Sequence, residues 1–372
     1  MREEDPTRLT TVGMDNAGPD SAFTKVVDII GLNYQGEGRG SGGATFGSFH
    51  SANPNKLIIS TESASGISTR GTYIFPVTSS NSATVSDTQG GDPRNMYVSA
   101  YELYAVSWGA SFDKVSEAQD RFPYVGGEFV WTGWDYIGEP TPYNNARSSY
   151  FGIIDLAGFP KDRFYLYQSR WNPTVKMAHI LPHWNWPNRV GQVTPVHVFS
   201  AADEAELFLN GVSQGVQKKG KSVYRFRWDK ITYQPGELRV TTSKNGSFWA
   251  NATIQTTGDA TRLRLTTYRG RDTIKSDGAD LSFVSVAVVD DKGNVVPTGN
   301  QTITFSVKGP AEIIATDNGD PTDFNPFPSK DRKAFAGLAL AIVRANAGAT
   351  GSITVTAASR GLQSAETILK IA

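Results

Sequence analysis

The chain has no cysteine among its 372 residues. This absence excludes disulfide bonds, a thiol nucleophile and any metal site built on thiolates. Histidine is also scarce, with four residues, and only His179 and His183 lie at a spacing typical of metal ligands. Pro182 lies between them and argues against a helix that would bring both rings to one face. We therefore expect no metal ion and no cofactor.

Net charge and long apolar segments are absent as well. The 36 basic and 36 acidic residues balance, so no overall field favours nucleic acid or an anionic membrane as partner. No apolar run reaches the roughly 18 residues that a membrane span requires. The first residues are charged and show no export signal. The location therefore stays open, with a periplasmic or secreted full-length protein as one option.

The first 172 residues alternate apolar strand patterns with helical ones. The predicted strands are Thr10–Met14, Val26–Tyr34, Leu57–Thr61 and Tyr124–Trp131. The predicted helices are Asn95–Phe112 and Asp162–Trp171, with Ser116–Arg121 as a short polar addition to the same layer. Strands separated by helices indicate a parallel sheet, and four such units make half of an eight-stranded barrel. We expect a partial (β/α)8 TIM barrel in residues 1–172, with surface loops at 36–47 and 78–92.

After Pro173 the helical pattern stops and short alternating strands replace it. Asn210–Gly211 is a strong hairpin signal because both residues tolerate positive φ. A second series of strands begins near Asp259. Regular short strands of this kind are typical of β-sandwiches. We expect two immunoglobulin-like sandwich domains, residues 173–258 and 259–372.

One predicted strand ends on a carboxylate, in the sequence KLIISTESASG. Catalytic groups and ligands lie at the carboxyl ends of strands in parallel α/β sheets, and Glu62 is at such an end. Strict alternation places Glu62 on the same face as Ile58 and Ser60. A glutamate at a strand end is more often a solvated loop residue, so this position alone does not establish catalysis.

Polar and aromatic residues follow two other predicted strands. Asn33 and Tyr34 end the second strand, while Trp131, Trp134 and Asp135 lie at and beyond the end of the fourth. Aromatic faces pack against the C–H face of a pyranose, and amide and acid groups bind its hydroxyls. These residues predict a sugar pocket. Tyr34 and Trp131 are equally consistent with core aromatics, and Asn33 with a turn cap.

Three blocks of this chain are distinctive, namely VVDIIGLNY, IISTESASG and GGEFVWTGWDYIGEPTPY. They resemble the later barrel strands of glycoside hydrolase family 2, in its β-galactosidase-like branch. The resemblance continues through SSYFGIIDLAGFPKDRFYLYQSRW, ELFLNGVSQG and ATDNGDPTDF, and so spans nearly the whole chain. It implies retaining hydrolysis of O-glycosidic bonds in carbohydrates, with Glu62 as the nucleophile. It also implies that Tyr34 hydrogen-bonds the nucleophile and that Trp131 is an aromatic wall of the sugar subsite. Asn33, Trp134 and Asp135 are assigned only to the pocket.

Retaining hydrolysis requires two carboxyl groups about 5–5.5 Å apart, a nucleophile and a general acid/base. In the family that the chain resembles, the acid/base follows an asparagine on the fourth barrel strand, and no Asn-Glu pair precedes Asp5. We therefore expect this chain to lack the acid/base and to be inactive, or nearly so, by itself. Glu128 and Glu139 flank Trp131, but the sequence does not bring either of them near Glu62.

Two functions stay open at this point. The first is the carboxyl-terminal part of a β-galactosidase-like hydrolase, whose partners are a β-galactoside-type carbohydrate and the missing amino-terminal half or another protomer. The second is a non-catalytic remnant that acts as a carbohydrate-binding or scaffold module. The absent acid/base and the two predicted β domains favour the second function, whereas the Glu62, Tyr34 and Trp131 segments favour the first. We favour the first, as an incomplete copy of a family enzyme, and keep the second as the alternative.

Overall fold

The structure, a computed structural model, describes residues 2–35 and 43–372. Within these residues the protein is mostly β, with 24 strands and four α-helices. The helices are α1 (Ala22–Val26), α2 (Phe46–Ala52), α3 (Phe112–Arg121) and α4 (Asp162–Trp171). Short 3-10 helices lie at Pro187–Arg189 and Tyr268–Gly270. None of the described helices is long and apolar enough to cross a membrane. Residues 36–42 of the predicted glycine-rich loop lie outside the described residues.

Eight strands precede α4. They are β1 (Gly13–Met14), β2 (Ile29–Asn33), β3 (Leu57–Ala64), β4 (Ala83–Thr84), β5 (Gly91–Asp92), β6 (Tyr97–Val98), β7 (Tyr104–Ala105) and β8 (Val125–Trp131). Four of them form a parallel sheet in the order β1-β2-β3-β8, while β4 pairs with β7 and β5 with β6. The four strands predicted from sequence are therefore present and adjacent, each with slightly different bounds.

The two faces of the parallel sheet differ in burial. On one face Ile30 and Leu32 of β2 and Ile58 of β3 pack against Phe46 and Phe49 of α2. These apolar strand residues drive the helix onto the sheet, since each loses its water-exposed area there. On the other face, Leu57 is 60% exposed and Phe129 is 66% exposed. We call this second side the open face.

The predicted helix Asn95–Phe112 is wrong. The segment contains β6 and β7, and α3 begins only at Phe112 and includes the short polar stretch 116–121. Met96 and Glu102 have φ values of 57° and 58°, which a right-handed helix does not allow. The apolar residues that suggested a helix are buried on all sides within an irregular core segment instead of along one stripe. By contrast, the predicted helix Asp162–Trp171 is confirmed with the same bounds.

The remaining strands are antiparallel except at β17. They are β9 (His179–Leu181), β10 (Val196–Phe199), β11 (Glu204–Leu209), β12 (Val212–Lys218), β13 (Phe226–Trp228), β14 (Glu237–Lys244), β15 (Ser247–Gln255), β16 (Arg262–Thr267), β17 (Thr273–Ile274), β18 (Leu281–Val289), β19 (Thr302–Lys308), β20 (Ala311–Asp317), β21 (Asp331–Lys333), β22 (Leu338–Ala345), β23 (Ser352–Ala358) and β24 (Ala365–Ile371). The hairpin predicted at Asn210–Gly211 is confirmed, with φ values of 50° and 80° between β11 and β12.

These strands form two pairs of sheets. The sheets β13-β10-β9 and β12-β11-β14-β15 share one apolar core, to which Val198, Leu207 and Val240 contribute. The sheets β16-β18-β22-β20 and β17-β24-β23-β19-β21 share another, which includes Val286 and Val355. Buried residues alternate with half-buried ones along β11 and β14, which explains why each sheet has one face in a core.

A buried ion pair ties the middle sheets to the first part of the chain. The guanidinium of Arg225, just before β13, contacts the carboxylate of Asp113 in α3, with Nε 3.0 Å from Oδ1. It also donates to the carbonyl oxygens of Tyr101, at 2.7 Å, and Glu102, at 3.0 Å. Both charged side chains are almost fully buried. A charge in this position is stable only because its hydrogen-bonding partners replace water.

We expect Arg225→Ala to destabilise the protein by about 3–5 kcal/mol, because it leaves the Asp113 carboxylate buried without its partner. Arg344→Ala is the control. It removes an exposed pair with Glu312 in the last sheets and should cost no more than about 1 kcal/mol. Urea denaturation followed by tryptophan fluorescence measures both. Equal losses for the two variants would contradict this account.

Candidate active site

A one-residue bulge sets the direction of the Glu62 side chain. In the β2–β3 pairing, Leu32 pairs with Ser60 but Asn33 pairs with Glu62, so Thr61 is the extra residue of β3. Paired residues of neighbouring strands project to the same face of a sheet, and a bulge reverses the alternation beyond it. Glu62 therefore shares the face of Asn33, while Ser60 stays with Leu32 on the helix-covered side. The alternation that placed Glu62 with Ile58 and Ser60 is wrong for this reason.

Asn33 and Thr61 meet on the open face. The hydroxyl of Thr61 donates to Oδ1 of Asn33 at 2.8 Å. Gly31 allows this close approach, because a Cβ there would lie 2.5 Å from Cγ2 of Thr61 and 2.6 Å from the carbonyl oxygen of Val12. Asn33, assigned to the pocket from sequence, thus lies beside Glu62 on the same face.

Tyr34 is joined to Glu62 through the backbone. Its N–H donates to the carbonyl oxygen of Glu62 at 2.7 Å. Its φ of 53° is in the left-handed region, so the chain turns sharply as it leaves β2. The structure therefore brings these two predicted site residues together at the carboxyl end of the parallel sheet.

A chain of hydrogen bonds holds Trp131 at the end of β8. The indole Nε1–H of Trp131 donates to the phenol oxygen of Tyr136 at 3.1 Å, and the Tyr136 hydroxyl in turn donates to the carboxylate of Glu139. The two rings meet edge to face with centroids 5.8 Å apart. Burial and the hydrogen bond to Glu139 raise the pKa of Tyr136, so the phenol stays protonated as a donor. Trp131 is therefore fixed in orientation.

Negative charge converges on Glu62. Partial burial raises the pKa of Glu62, and the negative charges of Asp15 and Glu139 raise it further. The charge of Glu62 also contributes to the raised pKa of Tyr136. Asp15 follows β1 and Glu139 follows β8. Acidic groups that follow the two outer strands of the sheet therefore act on the one carboxylate of Glu62. Carboxylates whose pKa is displaced in this way are frequent at functional sites.

Glu128 lies on the opposite face of the sheet. It pairs with Ser60, and its Oε2 accepts a hydrogen bond of 2.5 Å from the hydroxyl of Ser63. It is partly buried on the helix-covered side, and this burial raises its pKa. Its other oxygen, Oε1, has no hydrogen-bonding partner among the described residues. Glu128 therefore does not face Glu62.

Trp134 and Asp135 have opposite surroundings. Trp134 is 58% exposed, as a residue that contacts a ligand from solution would be. The carboxylate of Asp135 is buried, forms an ion pair of 2.7 Å with Lys161 and accepts a hydrogen bond of 2.7 Å from Gly152 N–H. Asp135 thus stabilises the segment beyond β8 from inside, and its acid oxygens are directed into the protein.

Two residues of this site were not identified by sequence reasoning. Tyr136 and Glu139 hold Trp131, and the charge of Glu139 acts on Glu62, yet neither residue was assigned to the pocket from its position in the chain. The sequence feature that could have identified them is the high density of aromatic and acidic residues in WTGWDYIGEP. Among the residues that the structure describes, no three His, Asp or Glu side chains are grouped so that they would hold a metal ion.

Comparisons with known proteins match every part of the chain. A family model described as glycoside hydrolase family 2 C-terminal domain 5 matches residues 263–368, and one described as a domain of unknown function (DUF4982) matches residues 191–250. The β-galactosidase BoGH2A of Bacteroides ovatus is 38% identical over 380 residues, which cover 99% of this chain and 42% of that protein. A putative β-glucuronidase of Formosa agariphila is 30% identical and aligns with 96% of this chain and 35% of its own length.

Solved structures agree with this result. The crystal structure of a β-glycosidase from Bacteroides vulgatus superposes with a TM-score of 0.83 and 28% identity, over 100% of this chain and 48% of that one. The resemblance to glycoside hydrolase family 2 is confirmed. A family 2 member from Bacteroides cellulosilyticus, 23% identical with a TM-score of 0.78, shares the fold. The chain spans less than half the length of these relatives.

We expect Glu62→Gln to raise the Tm at neutral pH. A carboxyl whose pKa is raised on folding binds protons more readily in the folded state, so its contribution to stability falls as the pH rises through that pKa. The rise in Tm of Glu62→Gln over the native protein should become smaller as the pH is lowered towards about 4, because protonation of the carboxyl removes the charge difference between the two proteins. Thermal unfolding of both proteins across this range measures the difference in Tm, with Glu4→Gln, at an exposed glutamate near the amino terminus, as the control. A Glu62→Gln protein that is less stable than the native protein at neutral pH would refute a pKa of Glu62 raised by burial and by neighbouring negative charge.

Proposed function

We propose that this chain is part of a retaining, β-galactosidase-like glycoside hydrolase in which Glu62 is the nucleophile. The observation that carries the proposal is the position of Glu62 on the open face, at the carboxyl ends of parallel strands and beside Asn33 and Tyr34. The family relationship supports the reaction class. The β-galactosidase relative, at 38% identity, supports a β-galactoside-type substrate, although another relative is named a putative β-glucuronidase.

The proposed reaction has two displacements. In the first, a carboxylate oxygen of Glu62 forms a bond to the anomeric carbon while the bond to the leaving oxygen breaks, and a general acid protonates that oxygen. In the second, water attacks the anomeric carbon, its proton passes to the same group acting as a base, and Glu62 is released. Tyr34 would steady the carboxylate, and Trp131 would pack against the C–H face of the sugar. We assign Asn33 and Trp134 to the pocket, and Asp135 to its support.

We propose that the general acid comes from outside the described residues. Glu128 faces the helices, and the carboxylate of Glu139 is already engaged as the acceptor of the Tyr136 hydroxyl. Loss of general-acid help typically reduces rates by about 10²–10⁴-fold. The chain by itself should therefore hydrolyse ordinary galactosides very slowly.

The parallel sheet supports a matching proposal for the fold. We propose that residues 1–172 are strands five to eight of a TIM barrel, followed by immunoglobulin-like sandwiches at 173–258 and 259–372. Among the described residues β1 and β8 each pair on one side only, and apolar side chains such as Leu57 and Phe129 are exposed on the open face. Unpaired edges and exposed apolar groups are usually covered by further structure. An amino-terminal barrel half, or another protomer, would cover them here and supply the acid.

A galactoside with an activated leaving group tests the nucleophile without the acid. The leaving group of a 2-deoxy-2-fluoro-β-galactosyl fluoride departs without protonation, and the 2-fluoro substituent slows hydrolysis of the covalent intermediate. We expect mass spectrometry to find the sugar attached to Glu62, with labelling made faster when an amino-terminal barrel segment is added.

Two variants serve as controls for this experiment. Glu62→Gln should abolish labelling, while Glu128→Gln, on the other face of the sheet, should retain it. Attachment to another carboxylate would contradict the proposal. So would the absence of label in a sample where the added segment is shown to bind the chain.

A further inference from the structure

The residues that orient Trp131 lie in one excursion of the chain, residues 132–155, which we call the wall loop. Hydrogen bonds close its base, from Ile153 N–H to the carbonyl oxygen of Thr132 at 3.0 Å and from Asp135 N–H to that of Ile154 at 2.9 Å. Further out, the loop runs back along itself. Tyr136 and Glu139 lie on its outgoing side, and they hold the indole of Trp131.

The two sides of the wall loop are bonded to each other. Gly138 N–H donates to the carbonyl oxygen of Arg147 at 3.1 Å, and Ser149 N–H donates to that of Tyr136 at 2.8 Å. The returning side, from Arg147 onward, therefore sets the position of the side that carries Tyr136 and Glu139. The contacts that hold Arg147 in place therefore also help to hold Trp131 in place.

A segment of the last pair of sheets fixes Arg147. This segment, residues 317–323, has the sequence DNGDPTD and begins at the last residue of β20; we call it the docking segment. The guanidinium of Arg147 lies 2.6 Å from Oδ1 of Asp317, and both side chains are buried. Arg147 N–H also donates to the carbonyl oxygen of Pro321 at 2.9 Å. A buried charge pair with backbone support has a defined geometry, because neither charge has water as an alternative partner.

The docking segment also contacts the end of the wall loop. Asp155 forms a buried ion pair of 2.5 Å with Arg70, and the same guanidinium donates to the carbonyl oxygen of Asn318 at 2.8 Å. Gly319 lies directly against Asp155. Its φ is 76°, and a Cβ there would lie 1.9 Å from Oδ2 of Asp155. Only glycine fits both the backbone conformation and the space.

We infer that the docking segment is a positioning element of the candidate active site, with Asp317 and Gly319 as its positioning residues. The last pair of sheets thereby holds the wall loop at both Arg147 and Asp155, far along the chain from Glu62. The catalytic meaning of this coupling rests on the proposed function, whereas the coupling itself does not. The inference gives the last β domain a part in shaping the site, distinct from a separate carbohydrate-binding role.

Two glycine substitutions test the coupling on the full chain. Gly319→Ala forces the docking segment away from Asp155. Gly348→Ala is the matched control, since Gly348 has a similar φ of 71° in the same part of the protein but no atom within 4 Å of an added Cβ. Amide hydrogen exchange by NMR reports on the loop. We expect Gly319→Ala to speed exchange at Gly138 and Ser149 by about tenfold or more, and Gly348→Ala to leave both amides unchanged.

The indole N–H signal of Trp131 gives a second measurement, assigned by its loss in Trp131→Phe. Gly319→Ala and the milder Asp317→Asn should both shift this signal, whereas Gly348→Ala should not. Protected amides of β22, at the centre of the last sheets, verify that each variant remains folded. The inference would be overturned if exchange changed in the docking segment alone, with β22 intact and with the Trp131 indole signal and the Gly138 and Ser149 amides unaffected.

Titration with a non-hydrolysed thiogalactoside separates this inference from the proposed function. Weaker binding by Gly319→Ala and Asp317→Asn than by the native chain and Gly348→Ala would support both. If the native chain and its complex with an amino-terminal barrel segment bind no sugar, the proposed function fails, while the exchange data still decide whether the docking segment positions the wall loop.

Discussion

The extra residue at Thr61 is the constraint on which the candidate site depends. A strand that continued its alternation would direct Glu62 into the layer beneath the helices, where Ser60 and Glu128 lie. The bulge reverses that direction, so one inserted residue turns a buried position into one that faces the open side. The bulge costs only the strand pairing of one residue, Thr61. Its chemical consequence is larger, because it decides on which face of the sheet the Glu62 carboxylate lies. Because of this shift, Asn33 and Glu62 are paired and share one face of the sheet.

Around this edge the protein uses two different kinds of stabilisation. The strands of the sheet are held by apolar packing on one face, which is tolerant of small changes in position. The loops beyond the strands are held by buried ion pairs instead, including Asp135 with Lys161 and Asp155 with Arg70. Such pairs add little net stability, but they select one geometry because a misplaced partner leaves a charge without water or counterion. This division suits a site in which loop side chains must keep fixed positions relative to a strand carboxylate.

Parts of this architecture were predictable from sequence, and the reasons are physical. The helix at Asp162–Trp171 has an amphipathic pattern and a clear proline before it, so local signals agree with the final structure. The segment 95–112 has a similar density of apolar residues, yet tertiary burial on all sides replaces the single stripe of a helix, and periodicity cannot distinguish the two. The acidic residue at a strand end was identifiable, but its face was not, because a bulge leaves no distinct mark in the residues around Thr61. Asp135 illustrates the same limit: its polarity suggested a ligand contact, whereas Lys161, 26 positions away, takes up its charge.

The direction of the Glu62 side chain is the central claim, and the absence of cysteine makes it directly measurable. In Glu62→Cys and Ser60→Cys each introduced thiol is the only one in the protein, so its reaction with a thiol reagent reports the accessibility of that position alone. The bulged strand predicts that the thiol at position 62 reacts at least about tenfold faster than the thiol at position 60, which is buried beneath the helices. Equal protection of both thiols would show that the strand keeps its regular alternation, and would contradict the account.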